Sequence, residues 1–280
     1  MTSTRPLVIK FGGELLEDRA TLATVVTALS AIAGSGTVLT VIHGGGKEID
    51  AALKRAGIDK RQVDGLRITD DATLDVVVSV LAGTVNTRLV AALNSAGVKA
   101  VGLTGADATC GLSDAAPPHR AVDGRSVDLG RVGIPSADAD MRVLHGLMND
   151  GFVPVLASIG VGRDGQLLNV NADTLAGHLA ARVGARRLVI AGTTAGVLGD
   201  GGATLPLVDA AAIASLVGAG TATAGMIAKL RACEHALSGG VDDVVIVDGR
   251  DRAALIGAAE SASPESATRI TANTVVGRAF

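Results

Sequence analysis

The sequence is poor in aromatic residues and carries little net charge. Phe11, Phe152 and Phe280 are its only aromatic side chains, and the formal net charge is −3 over 280 residues. Nucleic-acid-binding proteins use basic surfaces and aromatic stacking platforms, so we predict no nucleic-acid partner. The longest apolar stretch, VVVSVLAG at 76–83, is too short to span a bilayer, and we predict no membrane association.

Cysteine is also scarce, and no metal-binding spacing is present. Cys110 and Cys233 are far apart and match neither a zinc site nor a CxxC motif. The first ten residues, MTSTRPLVIK, contain no apolar segment of signal-peptide length. We therefore predict a cytoplasmic protein with two reduced cysteines and no metal site of its own.

Glycine, in contrast, is abundant, with 37 residues placed mostly at the ends of apolar runs. Short β-branched runs alternate with longer amphipathic ones, which predicts βαβ units and a mostly parallel sheet covered on both faces. The predicted strands are 6–11, 37–43, 99–104, 152–159, 187–192 and 243–249. The predicted helices are 14–34, 47–56, 70–96, 139–150, 173–184, 208–219 and 226–239. We expect one continuous sheet, hairpins from the polar stretch 106–135 at one edge, and ligands at the carboxyl ends of the strands.

One glycine motif resembles a dinucleotide-binding fingerprint. The segment GVGRDG at 160–165 matches G-x-G-x-x-G, but that function requires a helix to begin at once. The next residues, QLLNVN, have an extended pattern instead. A hairpin turn at Arg163, Asp164 and Gly165 explains the same glycines, and we favour it over a dinucleotide site.

A second glycine cluster is better suited to an anion. The segment VIHGGGKEID at 41–50 is an apolar run followed by three glycines and a predicted helix, which presents backbone N–H groups to a phosphate or carboxylate. The P-loop pattern is absent from the chain. Lys10 and Lys229 both lie close to glycines and could neutralise phosphoryl oxygens. Most lysines are solvated surface charges, but Lys10 lies within an apolar run, which weakens that interpretation.

Polar residues precede a later apolar helix. The segment NVNADT at 169–174 contains two asparagines and an aspartate, which are preferred at helix N-caps. An N-cap explains one of the three, and the other two favour a functional role.

Together these segments resemble the amino acid kinase family. The matching motifs follow the order and spacing of that family over nearly the whole chain: KFGG (10–13), HGGGKEI (43–49), DGLRITD (64–70), NTRLVAAL (86–93), IGVGRDGQLLNVNADTLAG (159–177), AGMIAKL (224–230) and VDGR (247–250). The resemblance implies a single α/β domain over 1–280, an αβα sandwich with a mainly parallel central sheet. Residues up to about 183 would bind an acyl amino acid, and those from about 184 would bind nucleotide.

The motifs are most similar to those of family members that phosphorylate the γ-carboxylate of N-acetyl-L-glutamate in arginine biosynthesis, using ATP and the Mg²⁺ that it carries. By this resemblance Lys10, Lys229 and Asp173 are the catalytic residues. The implied substrate-binding residues are Gly44, Gly45, Arg67 and Asn169. The implied nucleotide-binding residues are Lys10, Gly12, Gly13, Thr193, Gly196 and Lys229.

This reaction needs no general base. The nucleophile is a carboxylate with an ordinary pKa of about 4.3, which is already ionised at neutral pH. The five histidines, His43, His119, His145, His178 and His235, are scattered along the chain and need no catalytic role. Catalysis requires instead that two anions be aligned and their charge neutralised.

Two alternatives remain open at this stage. A carrier-linked or N-acetylated 2-aminoadipate could replace the substrate, since the length of the pocket near 106–135 is not given by sequence. A non-catalytic sensor of the same fold is the second alternative, because family members usually carry an acidic residue where this chain has Thr194. Arginine-inhibited, hexameric members of the family carry an extra N-terminal helix, whereas nine residues precede Lys10 here, so the resemblance implies an arginine-insensitive homodimer.

Overall fold

The structure is a computed structural model that describes residues 5–199, 202–209, 211–213, 224–260 and 266–272. The strands are β1 Leu7–Phe11, β2 Leu39–His43, β3 Gln62–Val63, β4 Leu66–Arg67, β5 Ala100–Leu103, β6 Ser113–Ala115, β7 His119–Arg120, β8 Ser126–Val127, β9 Val132–Pro135, β10 Val153–Ala157, β11 Ile159–Val161, β12 Leu167–Val170, β13 Arg187–Gly192, β14 Leu207–Asp209, β15 Asp243–Asp248 and β16 Ala267–Thr271. The helices are α1 Glu14–Glu17, α2 Arg19–Gly34, α3 Gly46–Arg55, α4 Asp71–Val78, α5 Thr87–Ser95, α6 Arg142–Asn149, α7 Ala172–Arg182, α8 Ala224–Ser238 and α9 Arg252–Ala259. A π-helical segment, Ser79–Asn86, joins α4 to α5, and a 3₁₀ turn spans Asp107–Thr109.

Eight strands form the central sheet in the order β14-β16-β15-β13-β1-β2-β10-β5. Every neighbouring pair is parallel except β15 and β16, so only the two strands at one edge, β14 and β16, run against the others. All six predicted strands lie in this sheet. The predicted α/β fold with a mainly parallel central sheet is confirmed.

The C-terminal edge of the sheet differs from the sequence prediction. Residues 207–209, assigned in part to a helix over 208–219, form β14 and pair with Arg269–Thr271 of β16. That partner lies about sixty residues further along the chain, and local periodicity carries no information about such a distant partner. Residues 210 and 214–219 of the predicted helix lie outside the described residues. The strand β16 and the helix α9 were not predicted.

Apolar layers cover both faces of the sheet, which makes the three layers of an αβα sandwich. Along β1, Leu7, Ile9 and Phe11 belong to the layer that includes residues of α2, α5 and α9. Val8 belongs to the opposite layer, with residues of α6, α7 and α8. Because successive strand residues point to opposite faces, Lys10 shares the face of Val8 and points towards α7.

The segments α4, Ser79–Asn86 and α5 form one continuous helical run, Asp71–Ser95, of 25 residues. The apolar stretch 76–83 is by itself too short to span a bilayer, but the whole helical run has the length and composition of a membrane span. In the fold, Val77, Leu81, Val85, Leu89 and Leu93 are at most 1% exposed within the main apolar layer. The run therefore serves as a core helix.

The stretch 106–135 forms short strands, as predicted, but they do not extend the central sheet. β6 and β9 pair antiparallel and join β11 and β12 in a separate four-stranded sheet. β7 and β8 form their own hairpin. The turn between β11 and β12 has Gly165 at φ +81°, with the Gly162 amide donating to the Gln166 carbonyl. This confirms the hairpin interpretation of GVGRDG.

Candidate active site

Two glycine turns meet at the carboxyl ends of the neighbouring strands β1 and β2. Gly13 follows β1 and Gly45 follows β2, and a Cβ on Gly13 would collide with the Gly45 Cα and lie 2.8 Å from the Gly45 nitrogen. A Cβ on Gly45 would in turn lie 2.8 Å from Cδ2 of Leu81 in the π-helical segment. Glycine at both positions therefore allows the two turns to touch each other and the core helix.

A cavity of about 250 Å³ opens beside these turns. Eight of the residues implied by the family resemblance line this cavity. They are Lys10, Gly12, Gly13, Gly44, Gly45, Arg67, Asn169 and Asp173. These residues come from β1, β2, β4, β12 and α7 and their adjoining turns. The fold therefore brings them together near the carboxyl ends of the central strands β1 and β2, but it does not test their roles.

Lys10 and Asp173 form a buried ion pair in this cavity. The Lys10 Nζ lies 2.8 Å from the Asp173 Oδ1, and the two residues are 6% and 8% exposed. Among the described residues no hydrogen-bond donor is well aligned with that same Oδ1, although it is buried. The contact is thus ionic and poorly directed, and it leaves a buried carboxylate oxygen without an aligned donor.

Arg67 faces the same cavity with one half of its guanidinium engaged. Its Nη2 lies 2.5 Å from the Asp50 Oδ1, whereas its buried Nη1 has no acceptor among the described residues. Burial alone would raise the pKa of Asp50, but hydrogen bonds from Lys60 and Arg67 hold that pKa below its ordinary value. Asp50 is therefore ionised and orients Arg67, whose buried Nη1 keeps an unused N–H pair within a residue that lines the cavity.

The polar segment before α7 has divided roles. Asn171 is the N-cap, because its Oδ1 accepts hydrogen bonds from the amides of Asp173 at 2.9 Å and Thr174 at 3.1 Å. Asn169 Nδ2 instead donates to the Thr69 hydroxyl at 3.0 Å. The cap fixes the first turn of α7, which places Asp173 against Lys10.

The backbone amides of the glycine turns are not equivalent. The amide of Gly12 donates to the Ala191 carbonyl at 3.0 Å, and that of Gly44 donates to the Phe11 carbonyl at 3.2 Å. The amides of Gly13 and Gly45 have no acceptor in the described part of the chain. Of the amides of Gly12, Gly13, Gly44 and Gly45, these two could bind an anion without breaking a protein hydrogen bond.

A buried histidine fixes the start of the second turn. The Asn86 Nδ2 donates to the Val155 carbonyl at 2.9 Å and lies 3.0 Å from the His43 Nε2. Nε2 therefore accepts, and Nδ1 carries the proton that it donates to the Gly44 carbonyl at 3.0 Å. Burial lowers the pKa of His43 to about 4, so the ring is neutral at pH 7 and holds the backbone of Gly44.

The three remaining predicted residues, Thr193, Gly196 and Lys229, do not line this cavity. Thr193 follows β13, and its carbonyl accepts from Arg250 at 3.0 Å. Gly196 packs closely, since a Cβ there would lie 2.8 Å from Thr204 Cγ2. Both lie beyond the carboxyl end of a strand that adjoins β1.

Lys229 lies on α8, which packs tightly against α7. A Cβ on Gly177 of α7 would lie 2.5 Å from the Ala232 carbonyl of α8. Burial raises the pKa of the Cys233 thiol, the Asp173 carboxylate raises that pKa further, and Lys229 lowers it. Lys229 lies one helical turn before Cys233 on α8, and it is not among the residues that line the cavity.

Among the unpredicted residues of the cavity wall, one is charged. Glu14, the first residue of α1, lines the cavity with Lys10 and Asp173. It follows KFGG directly, but nothing in its spacing distinguishes it from an ordinary first-turn acid of a helix. Among the described residues no group of three or more His, Cys, Asp or Glu side chains is arranged to hold a metal ion.

Comparison with known proteins identifies the family. The model of the amino acid kinase family matches residues 5–248. A relative from Acidiphilium cryptum named acetylglutamate kinase is 41% identical over 251 residues, which are 87% of this chain and 83% of the relative. One from Symbiobacterium thermophilum with the same name is 43% identical over 253 residues, covering 89% and 85%.

A solved structure extends the comparison to the fold. The N-acetylglutamate synthase of Neisseria gonorrhoeae, in a complex with coenzyme A and N-acetylglutamate, superposes with a TM-score of 0.80 at 24% identity, covering 99% of this chain and 60% of that one. At that identity the likeness shows the fold alone. The match over residues 5–248 and the relatives at about 40% identity establish that the chain belongs to the amino acid kinase family.

Proposed function

We propose that this kinase transfers the γ-phosphoryl group of ATP to the γ-carboxylate of N-acetyl-L-glutamate, forming N-acetyl-L-glutamyl 5-phosphate and ADP in arginine biosynthesis. The observation that carries the proposal is the buried Lys10–Asp173 ion pair in one cavity with two touching glycine turns and the half-engaged guanidinium of Arg67. The names of the relatives at about 40% identity support the same substrate. They also favour a kinase over a non-catalytic sensor.

Arg67 is suited to the α-carboxylate of the acyl amino acid. Its buried Nη1 needs an acceptor, and a carboxylate accepts two parallel N–H bonds from a guanidinium. Asn169, held by Thr69 at 3.0 Å, lies on the same wall and adds an amide. This arrangement would fix one end of the substrate so that its side-chain carboxylate extends towards Lys10.

At the other end, a carboxylate oxygen of the substrate forms a bond to the γ-phosphorus while the bond to the ADP oxygen breaks. Both reactants are anions, so the site must align them and neutralise charge. The Lys10 ammonium and the open amides of Gly13 and Gly45 supply positive potential there. Asp173 holds Lys10 in place and, with Lys229 on the neighbouring helix, defines the side where nucleotide would enter.

The residues fit MgATP on one structural ground: the carboxylates of Glu14 and Asp173 line the same cavity as Lys10, and magnesium takes one or two carboxylates together with substrate phosphates and water. When bound, the cation would neutralise phosphate charge. We infer that residues from about 184 onwards, including Thr193, Gly196 and Lys229, hold the nucleotide. Residues up to about 183 would hold the acyl amino acid, with Gly12 and Gly44 positioning the adjoining amides.

A trapping assay tests the proposal. The purified protein is incubated with MgATP, hydroxylamine and, in parallel, N-acetyl-L-glutamate, L-glutamate or N-acetyl-L-2-aminoadipate, and the hydroxamate formed from the acyl phosphate is quantified. We expect strong product with N-acetyl-L-glutamate alone. No product with any of the three, in a sample that still binds ATP, would contradict the proposed substrate.

A second substrate is favoured by one specific feature. A cavity of about 270 Å³ beside the hairpin β7–β8 shares Leu66, Val132 and Asn171 with the main cavity. It provides space next to the substrate wall for a longer or carrier-linked 2-aminoadipate. Product from N-acetyl-L-2-aminoadipate at a rate comparable to that of the glutamate derivative would favour this alternative.

We further infer a cytoplasmic homodimer. Two buried free cysteines suit a reduced compartment, and β5 leaves an edge of the central sheet that a second copy could extend. Sedimentation velocity should give twice the mass of the chain, 27.8 kDa. A monomer or a hexamer would contradict this inference.

A further inference from the structure

The carboxylate of Glu14 occupies an unusual position in the cavity. It folds back over Gly12, where an added Cβ would lie 2.5 Å from its Oε2, and its Oε1 would lie 3.8 Å from a Cβ on Gly192. The side chain thus lies between the turns that follow β1 and β13. Both turns belong to the proposed nucleotide-binding set, through Gly12 and Gly13 after β1 and Thr193 after β13.

No basic side chain among the described residues forms an ion pair or hydrogen bond with Glu14. The other charges that line the cavity are already matched, because Lys10 pairs with Asp173 and Arg67 pairs with Asp50. With Glu14 and Asp173 against Lys10 and Arg67, the charged side chains of the cavity wall sum to zero. Such a wall gives no net attraction to two anionic reactants.

Glu14 adds electrostatic repulsion against a polyphosphate. A carboxylate beside the Gly12–Gly13 turn repels metal-free ATP, which is strongly anionic, and the repulsion disappears only if a cation lies between them. Magnesium prefers one or two carboxylates together with substrate phosphates and water. The arrangement therefore favours a nucleotide that arrives with its cation.

We propose that Glu14 is a positioning residue that faces the divalent cation of the bound nucleotide and makes the site selective for MgATP over metal-free ATP. The inference rests on the proposed function and adds a metal-facing role for a residue of this chain. Glu14 alone does not hold a cation, since the described residues contain no three-ligand cluster. The cation would bind only together with the nucleotide.

The test is a comparison of binding constants and needs no turnover. The Kd of the non-hydrolysable analogue AMP-PNP is measured by calorimetry with excess Mg²⁺ and with EDTA, for the wild type, for Glu14→Gln and for Glu234→Gln. Glu234 is exposed on α8 and does not line the cavity, so it controls for loss of one negative charge. The ratio of the two Kd values within one variant cancels any general loss of affinity.

We expect the ratio of Kd in EDTA to Kd in Mg²⁺ to fall roughly tenfold in Glu14→Gln, as removal of one nearby charge predicts, and to stay unchanged in Glu234→Gln. An unchanged ratio in Glu14→Gln would overturn the inference and leave the proposed function intact. A wild-type protein that binds AMP-PNP in neither condition would overturn both.

Mn²⁺ provides a second and independent readout. Electron paramagnetic resonance should detect no tight Mn²⁺ binding to the protein alone, and tight binding once ADP is added. In the presence of ADP, Glu14→Gln should bind Mn²⁺ roughly tenfold more weakly than the wild type. Equal Mn²⁺ affinity in the two proteins would contradict a cation-facing role for Glu14.

Discussion

At the scale of single residues, each basic side chain of the cavity wall is paired with a carboxylate before a ligand binds. Asp173 fixes Lys10, and Asp50 fixes Arg67. A long flexible side chain that is held in this way has already lost most of its conformational entropy on folding. It therefore loses little more when a ligand binds.

Replacing Lys10 should remove charge neutralisation at the reacting phosphoryl group. We expect Lys10→Ala to lower kcat on the order of a hundredfold or more, similar to the loss of one oxyanion donor at about 3 kcal/mol. Lys99→Ala, an exposed lysine before β5, is the matched control. Both variants are assayed by hydroxamate formation after thermal unfolding confirms that they are folded, and a kcat within threefold of wild type for Lys10→Ala would remove this lysine from the mechanism.

Replacing Arg67 by lysine keeps the charge but loses the forked geometry. We expect Arg67→Lys to raise the KM for N-acetyl-L-glutamate by roughly tenfold or more, as loss of a hydrogen bond to a charged group predicts, with a much smaller change in the KM for ATP. Arg61→Lys is the control, because Arg61 is half-exposed and pairs with Asp70 outside the cavity. Equal changes in both KM values would argue against a specific substrate contact.

At the scale of elements, the site depends on how closely two turns approach. Sequence identified the glycines of the turns after β1 and β2, but the reason for them is a contact between Gly13 and Gly45, with Gly45 also against Leu81. Those contacts join three elements that are distant in sequence. No local pattern contains that information.

The contact predicts different effects of alanine at neighbouring glycines. Gly13→Ala would force the two turns apart, and we expect it to lower the free energy of unfolding by roughly 1–3 kcal/mol, as overpacking does. The Cβ of Gly46→Ala would lie in open space. We expect this variant to lower the free energy of unfolding by less than about 1 kcal/mol, or to raise it. Urea denaturation of both variants measures this, and equal stabilities would contradict the close approach of the turns.

At the scale of the whole molecule, the buried histidines connect the fold to pH. Burial lowers the pKa values of both His43 and His178 to about 4. The ring of His178 on α7 also stacks on that of His235 on α8, with centroids 5.7 Å apart, and His235 and Arg182 lower its pKa further. The rings of His43 and His178 are therefore neutral in the folded protein at pH 7.

These pKa values make the free energy of unfolding depend on pH. Between the unfolded pKa of about 6.5 and the folded value of about 4, the unfolded chain binds protons more readily, so the free energy of unfolding falls as pH falls. We expect each histidine to cost about 2 kcal/mol at pH 5 relative to neutral pH. Carboxylates with lowered pKa, such as Asp50, would add to this loss at still lower pH.

Urea denaturation at pH 7 and pH 5 measures the effect. His178→Gln should reduce the difference in the free energy of unfolding between the two pH values, because one buried titrating group is removed. His145→Gln, at an exposed position on α6, should leave that difference unchanged. A pH dependence equal to that of the wild type in His178→Gln would show that this histidine does not carry the effect.

The sequence by itself determined the parallel α/β core, because alternating β-branched and amphipathic runs are local patterns, and the resemblance indicated Lys10, Arg67, Asn169 and Asp173 as a set. It did not determine β14 and β16, whose pairing joins residues about sixty positions apart. Only the tertiary structure separated the open amides of Gly13 and Gly45 from the engaged ones, and only it placed Glu14 in the cavity. The physical reason is that hydrogen-bond partners, charge pairing and close approach depend on which distant segments meet, which no local pattern encodes.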